Sequence, residues 1–135
     1  MKVRDFHEFD REAVVSLWTQ VFGYAEAYNE PRATLERKLA VDGKLYVLAG
    51  DASIKGTVMT GYDGHRGWLY LLCVSPELRG QGWGKALVQH AISELSSAGC
   101  EKVNLQVRPD NHAVVDFYRG LGFDVEERIS MGLSM

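Results

Sequence analysis

A chain of 135 residues has room for one compact domain and not for two of ordinary size. With 46% hydrophobic and 24% charged residues it is composed like a globular protein, which excludes disordered and fibrous classes. A net charge of -3 offers no bulk attraction to nucleic acid or anionic membrane, no basic stripe replaces it, and no apolar run approaches the ~20 residues of a membrane span.

The N-terminal MKVRDFHEFDREAV meets acidic residues too early for a signal peptide, and a cytoplasmic location is the expectation. Residues 2–6 predict a short strand. Asp10 then stands where it can cap a helix that presents Val14, Leu17, Trp18 and Val21 on one side. NEPRATLERKLA predicts a second helix, with Asn29 as its cap, Pro31 in its first turn, and Leu35 and Leu39 four residues apart. The intervening VFGYAEAYNE carries Phe22, Tyr24 and Tyr28, for which two uses stay open: packing against a sheet, or lining a binding cleft.

LYVLAG and SIKGTVMTGY read as two β segments joined at Gly50 and Asp51. YDGHRG turns the chain through Asp63 and Gly64, and WLYLLCV follows as a third antiparallel strand, apolar enough to be central. Within it Cys73 reads as a small buried hydrophobe. Cys73 and Cys100 are too few for a disulfide framework, and no His, Cys, Asp and Glu cluster has metal-ligand spacing, so no metal is expected.

After Ser75 and Pro76 comes LRGQGWGK, with Gly80, Gly82 and Gly84 between Arg79 and Lys85. A tight turn alone would ask for one or two glycines. A P-loop needs glycine where Arg79 stands and a hydroxyl where Ala86 follows Lys85, and the dinucleotide fingerprint needs glycine at Lys85. What survives is the mechanism such loops share: glycines let the backbone approach a phosphate, and the free amides of a helix N-terminus donate to it. The helix itself is predicted over residues 82–98, with Leu87, Val88, Ala91, Ile92 and Leu95 on its apolar side and Gly99 ending it.

KVNLQV alternates Val103, Leu105 and Val107 with polar residues and predicts a strand. Asn111 can cap a helix over HAVVDFYRG, and GLGF turns into a last strand over residues 125–133, whose edge could pair with a second copy as a homodimer. The order is βααβββαβαβ in a single domain, residues 1–135. That makes an α/β (α+β) fold with a mixed central sheet and flanking helices.

Arg79, Gly82 and Gly84 fit the pattern of arginine or glutamine, two residues, glycine, one residue, glycine or alanine, and so LRGQGWGK resembles the signature of the GNAT acyl-CoA N-acyltransferases. The segment order is similar to that family's fold over nearly the whole chain. The resemblance implies that the loop, Arg79, Gly80, Gln81, Gly82, Trp83, Gly84 and Lys85, binds the pyrophosphate of coenzyme A, chiefly through the backbone amides from Gln81 to Lys85. It also implies that the strand over 68–74 splays from the strand over 103–107, leaving Cys73 and Val74 to pair with the pantetheine arm. Downstream, Asn111, Tyr118 and Gly122-Phe123 in NHAVVDFYRGLGF match the family's second feature, and the resemblance implies that Asn111 and Tyr118 also belong to the cofactor site. There the resemblance assigns Tyr118 to the departing thiolate as proton donor, and a phenol with a reference pKa near 10 suits that role.

The implied activity is acetyl-CoA-dependent N-acetyl transfer to a primary amine of a small molecule, amino acid or peptide. The base is open. Many relatives carry a glutamate on the strand before the loop, whereas WLYLLCV has no carboxylate. Asp63, His65, Tyr70 and a water chain remain, with Glu77 weaker. The missing carboxylate also motivates an alternative, a noncatalytic acyl-CoA-binding or sensing module.

Overall fold

The computed structural model describes residues 1–24 and 26–135; Ala25, within the predicted aromatic segment, lies outside the described residues. Residues 1–105 form one compact unit and residues 106–135 a second. The first holds a sheet in the order β1 (Lys2–Asp5), β2 (Leu45–Ala49), β3 (Ile54–Tyr62), β4 (Gly67–Val74) and β5 (Val103–Asn104). The first three ladders are antiparallel, because short turns join β2 to β3 and β3 to β4. The β4 to β5 ladder is parallel, as a crossover through a helix requires.

Alternation divides the sheet's side chains between its two faces. Leu45, Val47, Met59 and Cys73 form one core with Val14, Leu17 and Trp18 of α1 (Arg11–Phe22) and Leu35 of α2 (Pro31–Val41). On the opposite face lies α3 (Trp83–Ser97), which buries Leu87, Val88, Ala91 and Leu95 as its apolar stripe predicts. Its Leu87 comes so close to β3 that a Cβ added at Gly56 would lie 3.1 Å from Leu87 Cδ1 and 2.7 Å from the Cys73 carbonyl. The Gly56 position therefore has no room for a side chain. Being covered on both faces explains why β2 reads as a continuous apolar run.

Two predicted caps move. Asp10 has helical backbone (φ −85°, ψ −8°), since a 3₁₀ turn, Glu8–Asp10, runs straight into α1, and its side chain does not cap that helix. The carboxylate turns back instead, accepting from Arg4 Nη1 and Nη2 at 2.8 and 3.0 Å and from the His7 amide at 2.9 Å. For α2 the cap is Glu30 rather than Asn29, which belongs to a preceding 3₁₀ turn; the Glu30 carboxylate accepts from the amides of Arg32 and Ala33. Lys38 fastens α2 to the sheet by donating to the Thr60 carbonyl, and it pairs with Asp42 at 2.8 Å.

The second unit contains α4 (His112–Gly120), bounded as HAVVDFYRG predicts and capped by Asn111, whose Oδ1 accepts from the Val114 amide at 3.3 Å. Gly122, at φ +96°, turns the chain back so that Phe123 donates to the Tyr118 carbonyl at 3.1 Å. Two strand predictions shrink. Of residues 103–107 only Val103 and Asn104 join a ladder, and residues 125–133 form no strand, with Val125, Ile129, Met131 and Leu133 exposed. Alternation makes a segment fit for a strand, but a strand also needs a paired neighbour, and no ladder includes residues 105–107 or 125–133. Among the described residues no helix is long and apolar enough to cross a membrane, and no group of three or more His, Cys, Asp and Glu side chains is placed to hold a metal ion.

Candidate active site

The strand leading into the glycine loop is irregular at one point. Thr57 faces Cys73 and Met59 faces Tyr70, so Leu71 and Leu72 together oppose Val58 as a β-bulge. Leu71 has φ +51°, the one non-glycine residue with positive φ among those described, a conformation that costs roughly 1–2 kcal/mol for a residue with a side chain. Beside the bulge the Thr57 hydroxyl donates to the Leu71 carbonyl at 2.8 Å, accepts from Trp18 Nε1 at 2.8 Å, and lies 3.4 Å from Cys73 Sγ.

Beyond the bulge the strand's outer edge opens. The parallel ladder holds only Gly67 with Val103 and Trp68 with Asn104, while β4 runs on for six more residues. The Ser75 amide donates to the Lys55 carbonyl at 2.7 Å, which makes that pair hydrogen-bonded. By antiparallel alternation Val74, one residue back, turns its amide and carbonyl away from β3 toward the open edge. Arg79 reaches that edge, its Nε 3.4 Å from the Val74 carbonyl.

A 3₁₀ turn, Pro76–Leu78, then delivers the chain to the loop. Gly80 and Gly82 sit at φ +78° and +89°, and no atom lies within 4 Å of where either Cβ would be. These glycines are required by backbone conformation, and the space they leave is open. Gly82 is the N-cap of α3, with no side chain capping it. The helix's first internal bond runs from Ala86 to the Gly82 carbonyl, so the amides of Gly82, Trp83, Gly84 and Lys85 have no acceptor within the helix. Four amides at the positive end of a helix dipole, between Arg79 and Lys85, form a cradle for a phosphate-sized anion. Gln81 is exposed and donates weakly to the Glu77 carbonyl, and Trp83 is half-buried.

The proposed bases fare differently. Asp63 Oδ1 accepts from the amides of His65 and Arg66 at 2.7 and 2.8 Å, and these bonds hold its carboxyl below the usual carboxylate range. That makes Asp63 the organiser of its turn and a poor base. Glu77 pairs with Lys55 at 2.9 Å. His65 is exposed in the same turn as Asp63. Tyr70 stands out from β4 at 47% exposure, stacked on Trp68 with ring centroids 6.4 Å apart. Partial burial, with a smaller contribution from the Asp63 charge, raises its phenol, which favours a donor over a base. Burial likewise raises the Cys73 thiol and keeps it neutral. Phe22, Tyr24 and Tyr28 are all exposed, so packing against the sheet is not their use.

In the second unit Tyr118 is 8% exposed, with its ring edge to face against Phe117 and Phe123. Burial pushes its phenol up to about 12. Asn111 is occupied at the cap of α4, and His112 is exposed in the first turn. Sequence reasoning singles out Arg79 to Lys85 and Tyr118 but gives no sign of the arrangement at Thr57 and Leu71. A bulge leaves no mark in an apolar run, and one threonine in a strand reads as a β former.

Comparison with known proteins shows the family and the fold. Residues 7–123 match the family model described as Acetyltransferase (GNAT) family. The chain is 39% identical over 133 residues to an acetyltransferase of Yersinia enterocolitica, covering 98% of this chain and 94% of that protein. It is 40% identical, at the same coverage, to one from Pectobacterium atrosepticum. Among solved structures it resembles the aminoglycoside N-acetyltransferase AAC(6')-Iy in complex with CoA, with TM-score 0.82 and 19% identity over 98% of this chain and 93% of that one. It also resembles the ribosomal-protein-S18-alanine N-acetyltransferase of Escherichia coli, with TM-score 0.77 and 22% identity over 91% of this chain and 77% of that one.

Proposed function

The chain belongs to the GNAT family of acetyltransferases, and on that premise we propose that residues 1–135 act as one domain that acetylates the primary amine of a small molecule, amino acid or peptide. The observation that carries this reading is the four amides at the start of α3 that have no acceptor within the helix, beside two left-handed glycines. Gln81 to Lys85 hold the pyrophosphate of acetyl-CoA, Arg79 and Lys85 add positive charge, and the open edge at Cys73 and Val74 takes the pantetheine arm. In the reaction the amine nitrogen bonds to the thioester carbonyl carbon, the C–S bond breaks, the nitrogen loses a proton, and the departing thiolate gains one.

Two groups of this chain serve these steps. The Val74 amide, turned to the open edge, donates to the thioester oxygen as negative charge builds there. Tyr118 donates to the departing thiolate, and its burial keeps the proton on the phenol throughout the working range. With Asp63 committed to its turn and no carboxylate on β4, the amine's proton leaves through water. Asn111 acts by fixing the start of the helix that carries Tyr118.

A panel of amines, amino acids and short peptides, assayed for release of coenzyme A thiol, tests the reading. Acceptor-dependent release by at least one of them is expected. Tight acetyl-CoA binding without such release across the panel, and without acetylated protein in a lysate, would leave only a binding module.

A further inference from the structure

We propose that Thr57, buried in the core, is a positioning residue for acyl transfer: it holds the β4 bulge in register, and the register decides which way the Val74 amide points. The inference rests on the acetyltransferase reading and adds to it a residue outside the loop.

From the turn at Asp63 and Arg66 to the pair Met59 and Tyr70, β3 and β4 keep one register, and from Thr57 and Cys73 onward they keep another, displaced by one residue. Without the bulge the first register would continue, bringing Val74 opposite Lys55 in a hydrogen-bonded pair. Its amide would then point into β3. The bulge places Ser75 opposite Lys55 instead and turns the Val74 amide outward. One extra residue at Leu71 and Leu72 thus separates an amide spent inside the sheet from one available at its edge.

The bulge needs something to hold it, because Leu71 sits at φ +51°. Thr57 is the side chain that does so. Its hydroxyl has one proton and two lone pairs. The Leu71 carbonyl cannot donate, so the proton goes to it, and the indole Nε1–H of Trp18 can only donate, so one lone pair takes that. The second lone pair is left for the Cys73 S–H, 3.4 Å away, a thiol that burial keeps protonated. All three capacities are used, and their partners come from α1, from the bulge and from the residue beside Val74. Thr57, Trp18 and Cys73 are all buried, so no water competes.

The test uses acetyl-CoA labelled with 13C at the thioester carbonyl, because polarisation of that bond is read by infrared spectroscopy without an acceptor. Thr57→Val removes the hydroxyl and keeps the branched shape, whereas Thr57→Ser keeps the hydroxyl. In the wild type and Thr57→Ser the bound carbonyl stretch should fall below its value in water. In Thr57→Val the shift should be lost while acetyl-CoA affinity, by calorimetry, stays within about threefold of wild type, and turnover with the best acceptor should fall about ten- to a hundredfold. Glycine adopts positive φ without strain, so in a Leu71→Gly background Thr57→Val should cost at most about twofold. That comparison also serves if Thr57→Val alone does not fold. A wild-type carbonyl shift in Thr57→Val, an equal loss in Thr57→Ser, or an undiminished loss in the Leu71→Gly background overturns the role of Thr57. Absence of acetyl-CoA binding by the wild type would instead overturn the acetyltransferase reading.

Discussion

Tyr118 and Gly82 are the two residues on which the proposed chemistry depends most directly. Removing only the hydroxyl, Tyr118→Phe leaves the ring to pack on Phe117 and Phe123 as before. Turnover should fall about tenfold or more, because a positioned proton donor contributes roughly 10²–10⁴ and water can replace part of it. Acetyl-CoA affinity should hold. Because burial lifts the phenol to about 12, turnover should show no loss from Tyr118 ionisation up to about pH 10; an alkaline limb there that Tyr118→Phe abolishes would contradict its buried state. Gly82→Val tests the cradle. No atom crowds the new side chain, so its effects come from the left-handed backbone, strained by roughly 1–2 kcal/mol, and from filling the space before four free amides. Calorimetry should record much weaker acetyl-CoA binding, and unaltered affinity would remove the loop from the site.

At the scale of elements, β3 is packed closely at Gly56 between β4 and α3. Gly56→Ala would put a methyl 2.7 Å from the Cys73 carbonyl, a backbone atom that cannot rotate away, and 3.1 Å from Leu87. Overpacking of this kind costs about 1–3 kcal/mol, and thermal unfolding should show a clear fall in Tm; an unchanged Tm would mean that β4 and α3 both shift to admit the methyl without cost. Nothing in SIKGTVMTGY announces that constraint, since it arises between segments some 30 residues apart in sequence. What was legible is what a single element encodes: the apolar stripe of α3, the bounds of α4, the glycines of the loop. Asp10 and Asn29 have the chemistry of caps, but capping also depends on the backbone angle at one residue, and Glu30 satisfies the amides of α2 in place of Asn29. The bulge at Leu71 and the curtailed ladder of β5 were invisible for the same reason as Gly56, being properties of pairing.

Across the whole molecule the carboxylates set how stability responds to acid. For Asp10, burial alone would raise the carboxyl, but the Arg4 fork and the His7 amide more than offset it and hold it below the usual range; Asp42 is held down similarly by Lys38 and the Lys44 amide. A carboxyl depressed in the folded state contributes stability that is present above its unfolded value of about 3.9 and is lost as pH falls through the lower folded value. The unfolded chain takes up the protons first, so stability should decline below about pH 4. The exposed pairs, Glu8 with Arg11 and Glu12 with Arg32, are screened by salt and add little. Asp10, only 4% exposed and bonded three times, should dominate. Asp10→Asn should therefore cost about 1.5–3 kcal/mol at pH 7, the worth of a charged hydrogen-bonded pair. The gap from wild type should narrow as pH falls below about 4, because the unfolded wild-type chain takes up a proton that the folded carboxyl resists. Urea unfolding followed by tryptophan fluorescence at several pH values in 0.5 M salt reads both quantities, and a gap that stays constant from pH 7 to pH 2 would show that the Arg4 pair is not what acid removes.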